Sequence, residues 1–240
     1  QLHGGQAIYG VGGGITWDST WEAEYREVQQ KAAVLYRKQP RFQLITTGKI
    51  SQKTFLFENQ HLERLQKASR YFAFPFDAED LRQKIDKECQ VCDLHQDYRL
   101  RISLSKSGEI EIERKVLTPL SPTFCQAKLC LQEADLQQAF TYFKTTHRPH
   151  LTMGEQEIIY HTADGKLLET SIGNLVLKMD GKLYTPPSQL GLLPGIYRQH
   201  LLENGQVEEK VLTIEDLKQA EVIYACNAVR GLYELSVREN

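Results

Sequence analysis

Four segments of this chain hold residue types that could act together on an anionic substrate. The first is FKTTHR, residues 143–148, where Lys144 lies between Phe143 and Thr145. A lysine in a semi-apolar setting loses hydration, and nearby cations lower its pKa further, freeing the amine to attack a carbonyl. The second is LLETSIGNLVL, residues 167–177, where Glu169 interrupts an apolar strand–turn–strand pattern. An unpaired buried carboxylate is costly, so an acid there is either paired or used. The third is GLLPGIYRQHLL, residues 191–202, which opens a helix at Pro194-Gly195. The first amides of that helix, from Ile196 and Tyr197, have no intrahelical partner and suit a phosphate. The fourth is HLERL, residues 61–65, where Arg64 follows an apolar helix face and can turn toward an anion. Each has a plainer reading as a solvated lysine, a surface glutamate, an ordinary helix start or a surface arginine. Only their joint occurrence is informative.

The elements that must position them follow from periodicity. Strands are expected over 42–46 and 53–58. A helix over 59–73 places Leu62, Leu65, Ala68 and Phe72 on one face. Asp77 can cap a second helix over 78–90. YRLRISL and EIEIERKVL alternate around Ser107-Gly108, which signals a hairpin. TPLSPT, residues 118–123, reads as a linker. Beyond it, strands are expected at 125–131, 157–161, 166–169, 174–179 and 182–185, with turns at Asp164-Gly165 and Asp180-Gly181. A helix after Pro194-Gly195, a strand over 207–212, a short helix capped by Thr213 and strands over 221–226 and 232–237 complete the pattern. Residues 1–38 differ: a Gly-rich strand-like stretch precedes the helical WEAEYREVQQKAAVLYRK, which Pro40 ends. The whole reads as α+β in two lobes, 39–120 and 121–240, behind the segment 1–38. Binding sites often form between lobes of this kind.

Composition excludes several classes. The 240 residues are 41% hydrophobic and 25% charged, with a net charge of -2. A nucleic-acid binder would usually be basic, whereas a local positive pocket for a small anion needs no net positive charge. No apolar run approaches the roughly 18 residues of a membrane-spanning helix. The Gly-rich start lacks the features of a signal peptide. A cytoplasmic protein with no membrane partner is expected. The five cysteines read as reduced thiols. Cys89 and Cys92 form a lone CxxC without the further ligands that zinc requires, so no metal site is expected.

In their order along the chain these motifs become specific. The strings TT (46–47), HLERL (61–65), KTTHR (144–148), ETSIGNLVL (169–177), YTPP (184–187), LPGIYRQ (193–199) and CNAVRG (226–231) resemble the fold-type IV pyridoxal-phosphate enzymes. That group includes branched-chain aminotransferases, D-amino-acid aminotransferases and aminodeoxychorismate lyases. The resemblance covers residues 41–240. It implies a two-lobed, D-amino-acid-aminotransferase-like fold binding pyridoxal 5′-phosphate. Lys144 would be the Schiff-base lysine and Glu169 the partner of the pyridine nitrogen. Arg64, the amides of Ile196 and Tyr197, and the Cys226-Asn227 turn would hold the phosphate. Thr47 would assist catalysis, with Thr46, Arg148 and Arg230 as candidates for substrate contact. Relatives of this kind imply a homodimer.

Residues 1–38 resemble the C-terminal end of aminodeoxychorismate synthase component I, with Glu24, Glu27 and Lys31 on its acidic and lysine positions. Only the last piece of that domain is represented, so no synthase activity is expected from it. The juxtaposition favours the lyase branch, acting on 4-amino-4-deoxychorismate, with a glutamine amidotransferase subunit of the synthase as a further partner. An aminotransferase and a non-catalytic fragment are the alternatives. Three departures from the family pattern stand out, the first being that residues 1–38 take the place of an extra strand pair expected before the TT segment. HRPHLTMGEQ (147–156) is expected to run as a loop, and Gly48 is expected to widen the mouth of the pocket.

Overall fold

The computed structural model describes residues 2–3, 6–36, 40–132, 139–152 and 154–237. The chain divides into two compact units, residues 1–41 and 42–240. The first holds a two-residue ladder, β1 (Leu2–His3) with β2 (Gln6–Ala7), and helix α1 (Trp21–Tyr36). Within it, Lys31 Nζ donates to Gly12 O at 3.0 Å and pairs with Glu27 at 2.5 Å, while Ser19 Oγ donates to Glu24 at 2.7 Å. Both acids are therefore engaged locally.

The second unit has two lobes. The small lobe runs β3 (Leu44–Ser51), β4 (Thr54–Phe55), α2 (Glu58–Phe72), α3 (Ala78–Gln90), β5 (Tyr98–Leu104) and β6 (Ile110–Val116). Its antiparallel sheet has the order β4-β3-β5-β6. Leu44, Ile50, Leu100, Ile102 and Leu104 form one face, against Leu62, Leu65, Leu81 and Ile85 of the helices. Asp77 Oδ1 accepts from the amides of Glu79 and Asp80 at 2.9 and 3.1 Å, which starts α3 where expected. Helix α2 starts at Glu58, so the expected strand over 53–58 shortens to two residues. Phe57 breaks it by taking a left-handed conformation, with φ of 58°.

The large lobe runs β7 (Gln126–Leu131), α4 (Ala139–Tyr142), β8 (Ile158–His161), β9 (Leu167–Thr170), β10 (Asn174–Met179), β11 (Lys182–Thr185), α5 (Ile196–Glu203), β12 (Glu208–Glu209), α6 (Ile214–Gln219), β13 (Val222–Asn227) and β14 (Gly231–Val237). Its sheet has the order β12-β11-β10-β13-β14-β7-β8-β9, and β9 also pairs with β10 through Asn174 and Glu169. Six strands thereby close on themselves around Ile159, Leu167, Leu175, Ala225 and Leu235. Thr213 caps α6 in a reciprocal box with Asp216. The expected strand over 207–212 contracts to Glu208–Glu209. Residues 147–152 and 154–156 carry no regular element, as the loop reading anticipated. Among the described residues no helix is long and apolar enough to cross a membrane.

Candidate active site

Lys144 rides on a three-residue strap docked against β3. Ile45 N donates to Lys144 O at 2.9 Å and Thr146 N to Gln43 O at 2.9 Å. Gln43 N donates to Thr146 Oγ1, also at 2.9 Å. Strand β4 reaches only Ile50 and Ser51, so the start of β3 has an edge to offer. Alternation along the strap separates the side chains. Phe143 packs with Tyr71 and Phe72 at ring distances of 4.6 and 5.3 Å, and Lys144 enters a cavity of about 430 Å³ between the lobes. That volume is in the range of small-molecule sites. Among the described residues Lys144 Nζ makes no hydrogen bond or ion pair. Burial brings its pKa down to about 7, helped by Arg64 and Arg148 and opposed by Glu169.

Among the described residues Glu169 is the one acid of the cavity wall, and it is 3% exposed. It sits where β9 meets β10. Its Oε1 accepts from Arg148 Nη2 at 3.1 Å and from the Leu193 amide at 3.4 Å. Burial raises its pKa, against the pull of Arg148 and of the Leu193 amide.

On the far wall, helix α5 starts at Gly195 with no side-chain cap. Its first amides, those of Ile196 and Tyr197, are the ones a helix leaves unpaired. Ile196 lines the cavity. The Tyr197 ring turns away onto Phe57 and His200, so only its amide can serve. Arg64 reaches across the lobes to donate to Pro194 O at 3.0 Å, bringing its guanidinium beside this helix start. Burial and the neighbouring Arg148 lower the Arg64 pKa to about 10. The Asn227 side chain is spent on its own turn: Oδ1 accepts from the amides of Val229 and Arg230 at 3.0 and 2.9 Å. Its Nδ2 donates to Ile172 O at 3.4 Å, and residues 226–230 line the cavity.

The helix start depends on close packing. Asn174 Nδ2 donates to Leu193 O at 2.8 Å, and a methyl added at Gly195 would lie 1.9 Å from Asn174 Oδ1. Gly195→Ala should therefore displace Asn174 and the first turn of α5. The expected loss is about 1–3 kcal/mol of stability, as for overpacked sites, together with weaker phosphate binding. Chemical denaturation and a phosphate titration would check it, and an unchanged midpoint would show that the loop relaxes freely.

The structure gathers Thr47, Arg64, Lys144, Arg148, Glu169, Ile196, Cys226, Asn227 and Arg230 around one cavity. It corrects two expectations. Thr46 does not line the cavity: it is 0% exposed, and its hydroxyl lies 2.6 Å from His61 Nδ1. Successive strand residues point to opposite faces, so only one threonine of the pair can face the cavity. Gly48 shares the Thr46 face and does not widen the mouth. A methyl there would lie 2.6 Å from His61 Nε2. Of the substrate-contact candidates, Arg148 is paired with Glu169, and Arg230 Nη1 donates to Thr118 O. Sequence reading passed over two cavity residues, Arg99 and Arg101 on β5. Their signal was the period-two alternation of YRLRISL, which sets them opposite Leu100, Ile102 and Leu104.

Comparison with known proteins places the chain in a family. The family described as amino-transferase class IV matches residues 43–236, and that of chorismate binding enzymes matches residues 1–37. A protein of Haemophilus influenzae without a characterised function is 30% identical over 123 residues, 51% of this chain, and the match spans 61% of that protein's length. A Schizosaccharomyces pombe protein provisionally named aminodeoxychorismate lyase is 23% identical over 185 residues, 71% of this chain and 79% of its own. A Mesorhizobium loti structure provisionally named an amino-acid aminotransferase superposes with a TM-score of 0.72 at 26% identity, over 82% of this chain and 100% of its own. The pyridoxal-phosphate-bound form of a hypothetical aminotransferase from Mycobacterium tuberculosis gives 0.68 at 17% identity, over 81% of each chain. With a family match spanning most of its length, the chain belongs to the class IV aminotransferases and has their two-lobed α+β fold.

Proposed function

We propose that this chain is a pyridoxal-phosphate-dependent lyase that converts 4-amino-4-deoxychorismate to 4-aminobenzoate and pyruvate. The observation that carries the reading is the charge of the cavity: among the described residues, five arginines and one lysine of lowered pKa line it with a single buried carboxylate. A phosphate dianion takes up part of this excess, and a substrate with two carboxylates suits the remainder. The chorismate-binding match over 1–37 and the S. pombe relative point the same way. A lyase following a synthase remnant would take that enzyme's product, and the synthase with its glutamine amidotransferase would be its neighbours in the reaction sequence.

The residues present fit pyridoxal 5′-phosphate. Lys144 offers an amine with no competing partner, the uncapped start of α5 and Arg64 suit the phosphate, and Glu169 is a buried acid for the pyridine nitrogen. When bound, the cofactor supplies an aldehyde for the substrate amine and a ring that takes up electrons from the adjacent carbon. Lys144, with a pKa of about 7, is suited to remove the proton from the carbon bearing that amine. Glu169 holds a proton at the ring nitrogen. Thr47 presents a hydroxyl on the small-lobe side that can give a proton to the departing ether oxygen. Loss of that oxygen from the neighbouring carbon leaves the product ring aromatic, which makes the step effectively irreversible. Arg148 keeps Glu169 from standing alone in a buried site.

Mixing the cofactor-loaded chain with 4-amino-4-deoxychorismate should yield 4-aminobenzoate and pyruvate in equal amounts. No product from loaded protein would overturn the reading. An aminotransferase is the rival, supported by the M. loti structure. It would convert the cofactor to its amine form on adding an amino acid and release no 4-aminobenzoate.

A further inference from the structure

We infer that Arg101 is the substrate-carboxylate docking residue of this cavity, and that Glu113 is a competing carboxylate held away from it by Arg99 and Lys115. The inference rests on the dicarboxylate reading above and names the residue that would select for it.

Cross-strand register supplies the geometry. In the small-lobe sheet Thr47 is opposite Arg101, and Arg101 is opposite Glu113. Residues directly opposite share a face, so the three form a row across β3, β5 and β6. Lys49, Arg99 and Lys115 form the next row. Lys49 is paired with Asp97 at 3.3 Å. Arg99 Nη2 takes Glu113 Oε2 at 3.3 Å, and Lys115 takes the other oxygen, Oε1. Both carboxylate oxygens of Glu113 are thus turned toward the neighbouring row. Arg101, its direct partner in register, is left with no hydrogen bond or ion pair among the described residues. It lines the cavity beside Thr47, and its charge reaches Lys144, whose pKa it helps to lower. The other arginines of the wall each have a protein partner: Arg64 on Pro194, Arg148 on Glu169, Arg230 on Thr118 and Arg99 on Glu113. A planar guanidinium with free donors next to a hydroxyl suits a carboxylate. Glu113 is 45% exposed and Lys115 64% exposed at the side chain, so their pairing is open to salt and to substitution.

The test uses the full chain loaded with pyridoxal phosphate and benzoate as a probe that cannot turn over, with benzyl alcohol as the uncharged control. Arg101→Gln should weaken benzoate binding about tenfold or more, the scale of one charge-assisted hydrogen bond, and leave benzyl alcohol unaffected. Lys115→Met, outside the cavity, should weaken benzoate binding about threefold by freeing Glu113 toward Arg101, on the scale of an exposed ion pair. Adding Glu113→Gln should restore it, a rescue that a purely structural role for Lys115 would not give. Unchanged benzoate affinity in Arg101→Gln would overturn the docking assignment. A Lys115→Met defect that Glu113→Gln does not repair would overturn the role of Glu113. Benzoate binding requires no chemistry, so a failed lyase assay and a failed docking test are separate results.

Discussion

Lys144→Ala is expected to abolish the visible absorbance of the cofactor-loaded chain and to cut turnover by about 10²- to 10⁴-fold, the range for losing a positioned proton-transfer group. Lys144 is the lysine that the described cavity wall holds, and the strap fixes where it stands. Its backbone is bonded to Gln43 and Ile45, and the Phe143 ring is anchored in the small lobe, so the amine is delivered at one place. Persistence of the absorbance in the variant would mean that another lysine carries the cofactor. The same residue sets a pH signature. A pKa of about 7 predicts that uptake of pyridoxal phosphate by the cofactor-free chain accelerates with pH through about 7, where a surface lysine would respond only near its ordinary 10.5. Stability should follow. The folded pKa is below the unfolded one, so the unfolded chain binds more protons between those values, and stability rises with pH across that window. The penalty is complete below about 7 and absent above about 10.5. Lys144→Met should remove this slope in thermal melts of the cofactor-free chain.

Glu169→Gln should keep the fold and lose the chemistry. Glutamine preserves shape but cannot hold a proton at the ring nitrogen as a carboxylate does. A fall in turnover on the order of 10²- to 10³-fold is expected, the size seen when one preorganised charge partner is removed. Glu169→Ala should also cost about 3–5 kcal/mol of stability, because it strands Arg148 in a buried site. Arg148 has little slack to absorb the change: its side chain is 14% exposed, and its Nε already has no partner. Turnover in Glu169→Gln within a few-fold of the parent would remove the ring-nitrogen role. Glu169→Gln removes the same charge but can still accept a hydrogen bond, so a loss as large as that of Glu169→Ala would assign the cost to the charge of Arg148, and a much smaller one to the hydrogen bond.

What could be read from the residues followed their chemistry. Lys144, Glu169, Arg64 and the Pro194-Gly195 start each belong to a short motif whose local structure is nearly complete in itself. The structure only had to bring these motifs to one cavity. Thr46 and Arg101 are the opposite case. Which threonine of a pair faces the cavity, and whether an arginine on a strand points in or out, depends on which face of the sheet the helices cover. Leu100, Ile102 and Leu104 settle that by packing on α2 and α3, so Thr46 turns inward to His61 and Arg101 outward to the cavity. The period was visible, but its phase relative to the site required a second sheet element. The partners of Arg148 and Arg230 come from residues 21 and 112 positions away, beyond the reach of local pattern.

Strands β13 and β14 come last among the described strands of the large lobe, yet they lie in the middle of its sheet, between β10 and β7. During synthesis, β7 to β12 must therefore wait with an unfilled gap until residues 222–237 leave the ribosome. Long-range pairing of this kind is slow and leaves strand edges exposed while it is pending. Residues 226–230, which form part of the cavity wall, arrive with that insertion. Loss of residues 222–237 would leave a sheet open at its centre and a cavity lacking one wall.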